Sequence, residues 1–396
     1  MRAVHQKTPD PSERLRQLLA LPANASARAP LLEAVGDVSL DVARQALRRL
    51  VPLAGPAEIA RLRERMLGLD VGIVADVAGV LRALGDDDAV GVAVTGLAAS
   101  SWFDRQKAAL ALRELRAPAA RAALEDALAD WATPVRRVVL EALLRLPSEP
   151  ETVRVCAERL EDADPSVRAT AVAAVAGLDP LPAATLRTVV TDQHPSVRRA
   201  AAAAARVLDA DSVRVLLADR DTEVRVAALE ALARNPRPEL TPTLLEALAD
   251  ESWHVRRAAA DALGASADCG VAPQLLHALV DPQPLVRGRA RIALERLLGD
   301  ELDRPLATAL EDADAPLRRA LVEILGRRGY VRPLLDLVSD DDVRVRIALI
   351  HALEHASAPE ATTALEQLAG DADVAVRHAA SLALGEGDIR LAPPNS

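Results

Sequence analysis

The sequence predicts an all-α protein, a solenoid of about twelve stacked helical hairpins, and three observations predict it. The first is composition. Half of the 396 residues are hydrophobic but only 1% are aromatic, so the apolar content is mainly Ala, Leu and Val. Ala and Leu are strong helix formers, whereas strands draw on aromatic and other β-branched side chains. The second is a motif that recurs nine times: Asp, then Val or Leu five residues on, then Arg six residues on. The third is that each copy carries two short apolar stripes of helical period, which one hairpin cannot bury alone.

The copies begin with Asp130/Val135/Arg136, Asp162/Val167/Arg168, Asp192/Val197/Arg198 and Asp219/Val224/Arg225. They continue as Asp250/Val255/Arg256, Asp281/Val286/Arg287 and Asp312/Leu317/Arg318, and end with Asp340/Val345/Arg346 and Asp371/Val376/Arg377. Successive Asp residues stand 27 to 32 apart. Stepping back by the same interval finds three weaker copies, near Asp37, Gly68 and Ala99, which keep the apolar spacing without the full signature. The organisation is therefore a flexible N-terminal segment with degenerate capping helices over 1–36, a solenoid over 37–384, and a tail over 385–396. Atypical ends are expected, because terminal repeats cap the stack.

Within a copy the first helix ends just before the Asp. Its apolar face is an i,i+4 pair such as Leu124/Leu128, Leu244/Leu248, Leu275/Leu279 or Leu306/Leu310. Two residues after the Asp comes a capping type (Asp164, Asp221, Ser252, Asp314, Asp342, Asp373), often with Pro close behind, which a first helical turn tolerates. The second helix follows, with core positions such as Val255, Ala259, Ala262 and Leu263, and Gly264, Gly299, Gly326 or Gly385 closes it in several copies.

These residues resemble the HEAT repeat, in the short bacterial form of about 30 residues known as the phycobilin-lyase type. The resemblance covers 37–384. It implies a right-handed, armadillo-type α-α superhelix and a ladder in which the Arg of one repeat meets the Asp of a neighbour. The nine Asp and nine Arg named above would form it, as structural residues rather than catalytic ones. The first three copies depart from the motif, at Ala43, Val74 and Ala99, and leave the ladder open there.

Composition also bounds function. A formal net charge of −10 with abundant charge of both signs favours solubility and argues against nucleic acid or anionic membrane as the partner. Cys156 and Cys269 are too few and too far apart for a disulfide framework or zinc site. The N-terminus has no apolar core of signal-peptide type, and no run reaches the roughly 20 apolar residues of a membrane span. A cytoplasmic protein, with a monomer allowed, is expected. No phosphate loop, GxGxxG, HExxH, CxxC or GxSxG is present. His351 and His355 have a spacing that can present two imidazoles to a metal, but no third ligand accompanies them. No catalytic residue, metal or cofactor is expected.

The second helices should expose the positions seven and eleven after the Asp. Along the chain this stripe balances Arg against acids, as in Arg137/Glu141, Arg257/Asp261 and Arg319/Glu323. Ile292, Ile347 and Leu382 break that habit. With Arg319, Glu323, His351 and His378 they form the expected partner-binding surface. Trp102 and Trp253, at inter-helix turns, are expected to pack on neighbouring turns. The function expected is a protein-interaction scaffold or adaptor that uses the concave face, in one version regulating a partner enzyme. The competing expectation is an enzyme on the same fold. Some relatives resemble bilin lyases and others DNA glycosylases, but a chromophore pocket or a basic aromatic groove is not legible here.

Overall fold

Why a copy of the repeat folds as it does is clearest at residues 250–265. The Asp250 carboxylate accepts the Ser252 amide at 2.8 Å and so fixes the turn that starts the Trp253–Ala265 helix. Along this helix Val255, Ala258, Ala259, Ala262 and Leu263 return every three or four residues, and all are buried. Truncating a side chain such as Leu263 to Ala would cost about 2–5 kcal/mol. Beyond the helix, Ala267 takes φ +56° and turns the chain back. Small residues let neighbouring helices approach closely. A Cβ on Gly264 would stand 2.6 Å from the Cβ of Ala293 on the next second helix.

The structure, a computed structural model, describes residues 10–147, 149–176, 186–298, 303–354, 356 and 358–385. Every regular element among them is an α-helix or a 3₁₀ turn, and no helix is long and apolar enough to cross a membrane. The chain divides into two compact units, Met1–Leu208 and Asp209–Ser396.

In the first unit the second helices are Leu40–Leu50, Val71–Ala83, Trp102–Leu115, Thr133–Leu143, Pro165–Ala176 and Pro195–Ala203. The Pro11–Leu19 and Arg28–Ala34 helices both pack on Leu40–Leu50. In the second unit they are Thr222–Arg234, Trp253–Ala265, Pro284–Leu298, Ala315–Arg327, Val343–Leu353 and Val374–Ala383. Among the described residues each unit thus has six second helices, in keeping with about twelve repeats. Capping follows the sequence at Asp221, Asp314, Asp342 and Asp373, whose carboxylates accept amides of the first helical turn. Ser252 makes no side-chain cap bond, and that turn is organised by the Asp250 carboxylate on the Ser252 amide. The C-terminal tail beyond 385 and residues 1–9 lie outside the described residues.

Candidate functional site

The motif's Asp and Arg turn out to serve different neighbours. Arg136 donates from Nη1 to the backbone carbonyls of Asp130 and Trp131 in its own repeat, at 2.9 and 3.1 Å. Its Nε and Nη2 meet both carboxylate oxygens of Asp162 in the next repeat, each at 2.7 Å. Asp162 in turn accepts the Asp164 amide at 3.0 Å. One guanidinium thus ties two consecutive turns, with the planar fork matched to the carboxylate. Arg168–Asp192 repeats the whole arrangement in the first unit and Arg256–Asp281 in the second, where Arg225–Asp250, Arg318–Asp340 and Arg346–Asp371 keep the ion pair with one carbonyl contact each. Arg198 and Arg377 likewise donate to the carbonyls of Asp192 and Asp371 in their own repeats.

Electrostatics follow from this geometry. Burial raises the pKa of Asp162, but hydrogen bonds from Arg136 and the Asp164 amide outweigh it and hold the carboxyl below its ordinary value. Asp130, Asp192, Asp281 and Asp340 show the same balance, each against its own arginine and amide. These carboxylates stay charged and engaged, which suits a structural pair and not an acid catalyst.

Two rungs extend the ladder beyond the nine motif copies. Arg105 meets Asp130 through Nε and Nη2, and its Nη1 bonds the carbonyls of Ala99 and Ser100 at 2.9 Å. Arg14 meets Asp37 at 2.8 and 3.0 Å. The contact of Arg105 with its own repeat is to backbone oxygen, so Ala at 99 serves as well as Asp.

One rung is not made. Among the described residues Arg287 pairs with no carboxylate, although its Nη1 holds the carbonyls of Asp281 and Pro282 at 2.8 and 3.1 Å as Arg136, Arg168 and Arg256 do in theirs. Asp312, the expected acceptor, is exposed, while Ala313 beside it is buried. Arg318 accordingly reaches the carbonyl of Ala313 instead of that of residue 312. The turn also differs in its backbone: Asp314 has ψ 166° and caps Leu317 at 3.0 Å, whereas Asp342 and Asp373 have ψ 118° and 133° and cap the amides two and three residues on.

At this place the stack opens. The Trp253–Ala265 helix packs along Pro284–Leu298, and Ala315–Arg327 along Val343–Leu353, with no comparable packing of Pro284–Leu298 on Ala315–Arg327 among the described residues. Between them lies a cleft of about 460 Å³ lined by Arg287, Arg291, Arg319 and Arg327 together with Asp281 and Glu323. A second hollow of about 300 Å³ shares Glu323 and Arg327 and reaches His351.

The structure sorts the expected partner-binding residues. Arg319, Glu323, His351 and His378 are exposed, and Leu382 is 55% exposed. Ile292 and Ile347 are half-buried. The three apolar residues therefore do not form one open patch. Arg319, Glu323 and His351 meet in the two hollows, where the sequence stripe had no means of placing Arg287, Arg291 and Arg327 beside them.

A second exposed feature belongs to the first unit. Trp131 is 73% exposed, Trp102 39% and Phe103 40%. They lie at successive inter-helix turns, so Trp102 is not buried against its neighbour as the repeat pattern suggests. The Trp102 and Phe103 rings meet edge to face at 5.7 Å, and Arg105 lies 5.5 Å from the Trp131 ring centroid. Trp253 instead stacks on its neighbour His254.

The remaining chemistry is quiet. Cys156 is buried, and its thiol is pushed up to about 12, by burial first and the Glu125 charge second, so it is not a thiolate at neutral pH. Cys269 is exposed, with Sγ 3.4 Å from the Leu297 carbonyl oxygen. His355 lies outside the described residues. Among the described residues no group of three or more His, Cys, Asp or Glu is placed to hold a metal ion.

Residues 210–295 and 303–385 match the family model described as HEAT repeats. Among solved structures the chain resembles importin beta, with a TM-score of 0.54 and 14% identity over 90% of this chain and 60% of that one. It also resembles Kap121p bound to RanGTP, with a TM-score of 0.53 and 14% identity over 94% of this chain and 52% of that one. The chain thus spans less than two thirds of either structure's length, and at this identity the likeness speaks for the fold. No curated protein matches in sequence. The Asp209–Ser396 unit thus carries HEAT repeats over residues 210–295 and 303–385.

Proposed function

We propose that this protein is a protein-interaction scaffold. The observation that carries the reading is the exposed aromatic group of the first unit. The whole chain has three Trp, one Tyr and one Phe, and two of the Trp and the Phe stand exposed at consecutive turns. Trp is the residue type most enriched where partners bind tightly, because it buries a large area with little conformational freedom to lose. Support comes also from the second-helix face of the Asp209–Ser396 unit, where Arg319, Glu323, His351, His378 and Leu382 are exposed. Kap121p, of the same fold, is solved bound to RanGTP, so a protein partner is a use to which the fold is put.

The test is capture from native lysate by tagged full-length chain, followed by mass spectrometry, with wild type beside Trp131→Ala. The expected result is a defined partner retained by wild type and lost by the variant, with helical circular dichroism unchanged. A partner retained equally by both would remove the aromatic group from the reading. Retention of nucleic acid alone, sensitive to salt, would overturn the scaffold itself.

A further inference from the structure

The joint at the broken rung has the geometry of a binding site. Arg256 shows what a completed rung looks like: Nη1 on two carbonyls of its own repeat, Nε and Nη2 on Asp281 at 2.7 and 3.0 Å. Arg287 has the first half of this arrangement and, among the described residues, not the second. Its guanidinium is thus held in the rung orientation by backbone oxygens. The cleft that opens in front of it holds four arginines against two carboxylates. Those carboxylates are already engaged. Asp281 is taken by Arg256 and by the Gln283 amide. Glu323 stands between two arginines, 3.9 Å from Arg319 and 3.8 Å from Arg327.

We propose that the cleft between the Pro284–Leu298 and Ala315–Arg327 helices receives an acidic segment of a protein partner, whose Asp or Glu carboxylate completes the rung on Arg287. The proposal rests on the scaffold reading and names the chemistry of the partner. Charge complementarity is its first argument. The second is shape: the guanidinium fork takes a carboxylate in two parallel bonds, as Arg136, Arg168, Arg256 and Arg318 do in their completed rungs. The third is extent. A cleft of about 460 Å³ that continues through Glu323 and Arg327 into a hollow at His351 suits a few side chains of an extended peptide. A nucleic-acid strand would instead need a basic track along its whole backbone, whereas Glu295 and Glu323 interrupt the arginines on these helices.

The experiment measures fluorescence anisotropy of a short labelled peptide of alternating Glu and Ala with the full-length chain at low and moderate salt. The comparison probes are a Lys/Ala peptide and a single-stranded oligonucleotide of equal charge. Wild type is expected to bind the Glu peptide and not the Lys peptide, with the oligonucleotide weaker. Arg319→Glu and Arg287→Gln should each weaken the Glu peptide roughly tenfold or more, the scale of one lost charged hydrogen-bonded contact. Arg154→Glu, on an exposed helix of the first unit, should leave it unchanged. Arg319 is exposed and makes only a long contact to Glu323, so its variant should keep the wild-type melting temperature and separates binding from folding. Glu-peptide binding insensitive to Arg319→Glu, or equally sensitive to Arg154→Glu, would overturn the proposal. So would an oligonucleotide that binds more tightly and depends on Arg319. Lysate capture by the Arg319→Glu chain that still depends on Trp131 would leave the scaffold reading standing while the cleft falls.

Discussion

Two substitutions that the sequence motif treats as equivalent should differ sharply: Asp162→Ala and Asp312→Ala. The Asp162 and Arg136 side chains are only 5% and 12% exposed and are joined by two bonds of 2.7 Å. Removing the carboxylate strands the Nε and Nη2 of Arg136 in a largely dry turn and also frees the Asp164 amide. Breaking one partner of a fully buried pair costs about 3–5 kcal/mol, and an exposed pair is worth about 0.2–1 kcal/mol. This pair lies nearer the buried limit but at the rim of a turn, so a loss of about 2–3 kcal/mol is expected. Asp312 is exposed and outside the ladder, so its removal should stay within about 0.5 kcal/mol. The assay is urea unfolding followed by circular dichroism. Since a stack of neighbour-only contacts need not unfold in one step, the comparison is made on the first transition and by hydrogen exchange near each site. Equal effects for the two variants would refute the account of both the ladder and its interruption.

Stability should also fall in acid. The ladder carboxyls are held below the ordinary Asp value of about 3.9. The unfolded chain therefore binds more protons than the folded one in that range, and the contribution, full above pH 4, is lost as pH falls through the folded values. A melting temperature flat from pH 5 down to pH 2 would contradict this. In native thiol titration Cys269 should react and Cys156 should not, until denaturant exposes it; fast labelling of both would place Cys156 wrongly. Gly264→Ala should destabilise although Ala favours helix by about 1 kcal/mol, because the new Cβ would meet backbone and Cβ of Ala293 at 2.6–2.7 Å and overpacking costs about 1–3 kcal/mol. A raised melting temperature would show that the two helices can separate.

How far the sequence reached is instructive at particular residues. The second-helix cores were legible because Val255, Ala259, Ala262 and Leu263 repeat with helical period, and periodicity reports burial directly. The Arg105–Asp130 rung was not, because Arg105 reads its own repeat through carbonyl oxygens that any residue supplies. Arg14–Asp37 was hidden for a related reason, its arginine lying in a helix with no motif around it. Asp312 shows the converse failure. Its spacing to Leu317 and Arg318 is that of every other copy, yet spacing does not encode the backbone angles of the turn, and at Asp314 ψ is 166° where Asp342 and Asp373 have 118° and 133°. Ile292 and Ile347 are half-buried, and burial is a property of the stack that a stripe drawn on one helix cannot include.

The interruption also ties binding to mechanics. A completed rung links two successive turns through one guanidinium, so the joint at Arg287 lacks a cross-repeat bond that its neighbours at Arg256 and Arg318 possess. A carboxylate bound there from outside would supply that bond to one side of the joint while the arginines of the Ala315–Arg327 helix hold its other end. Binding and stiffening would then be the same event. By linkage, an occupant at about a hundred times its Kd would stabilise the unit by about 2.7 kcal/mol. If the occupant truly bridges, protection against hydrogen exchange should rise on both helices together. An acidic segment that merely lay on Arg319 and Arg327 would protect the Ala315–Arg327 helix alone. That difference separates rung completion from simple charge attraction, because screening by salt would weaken the second far more than the first.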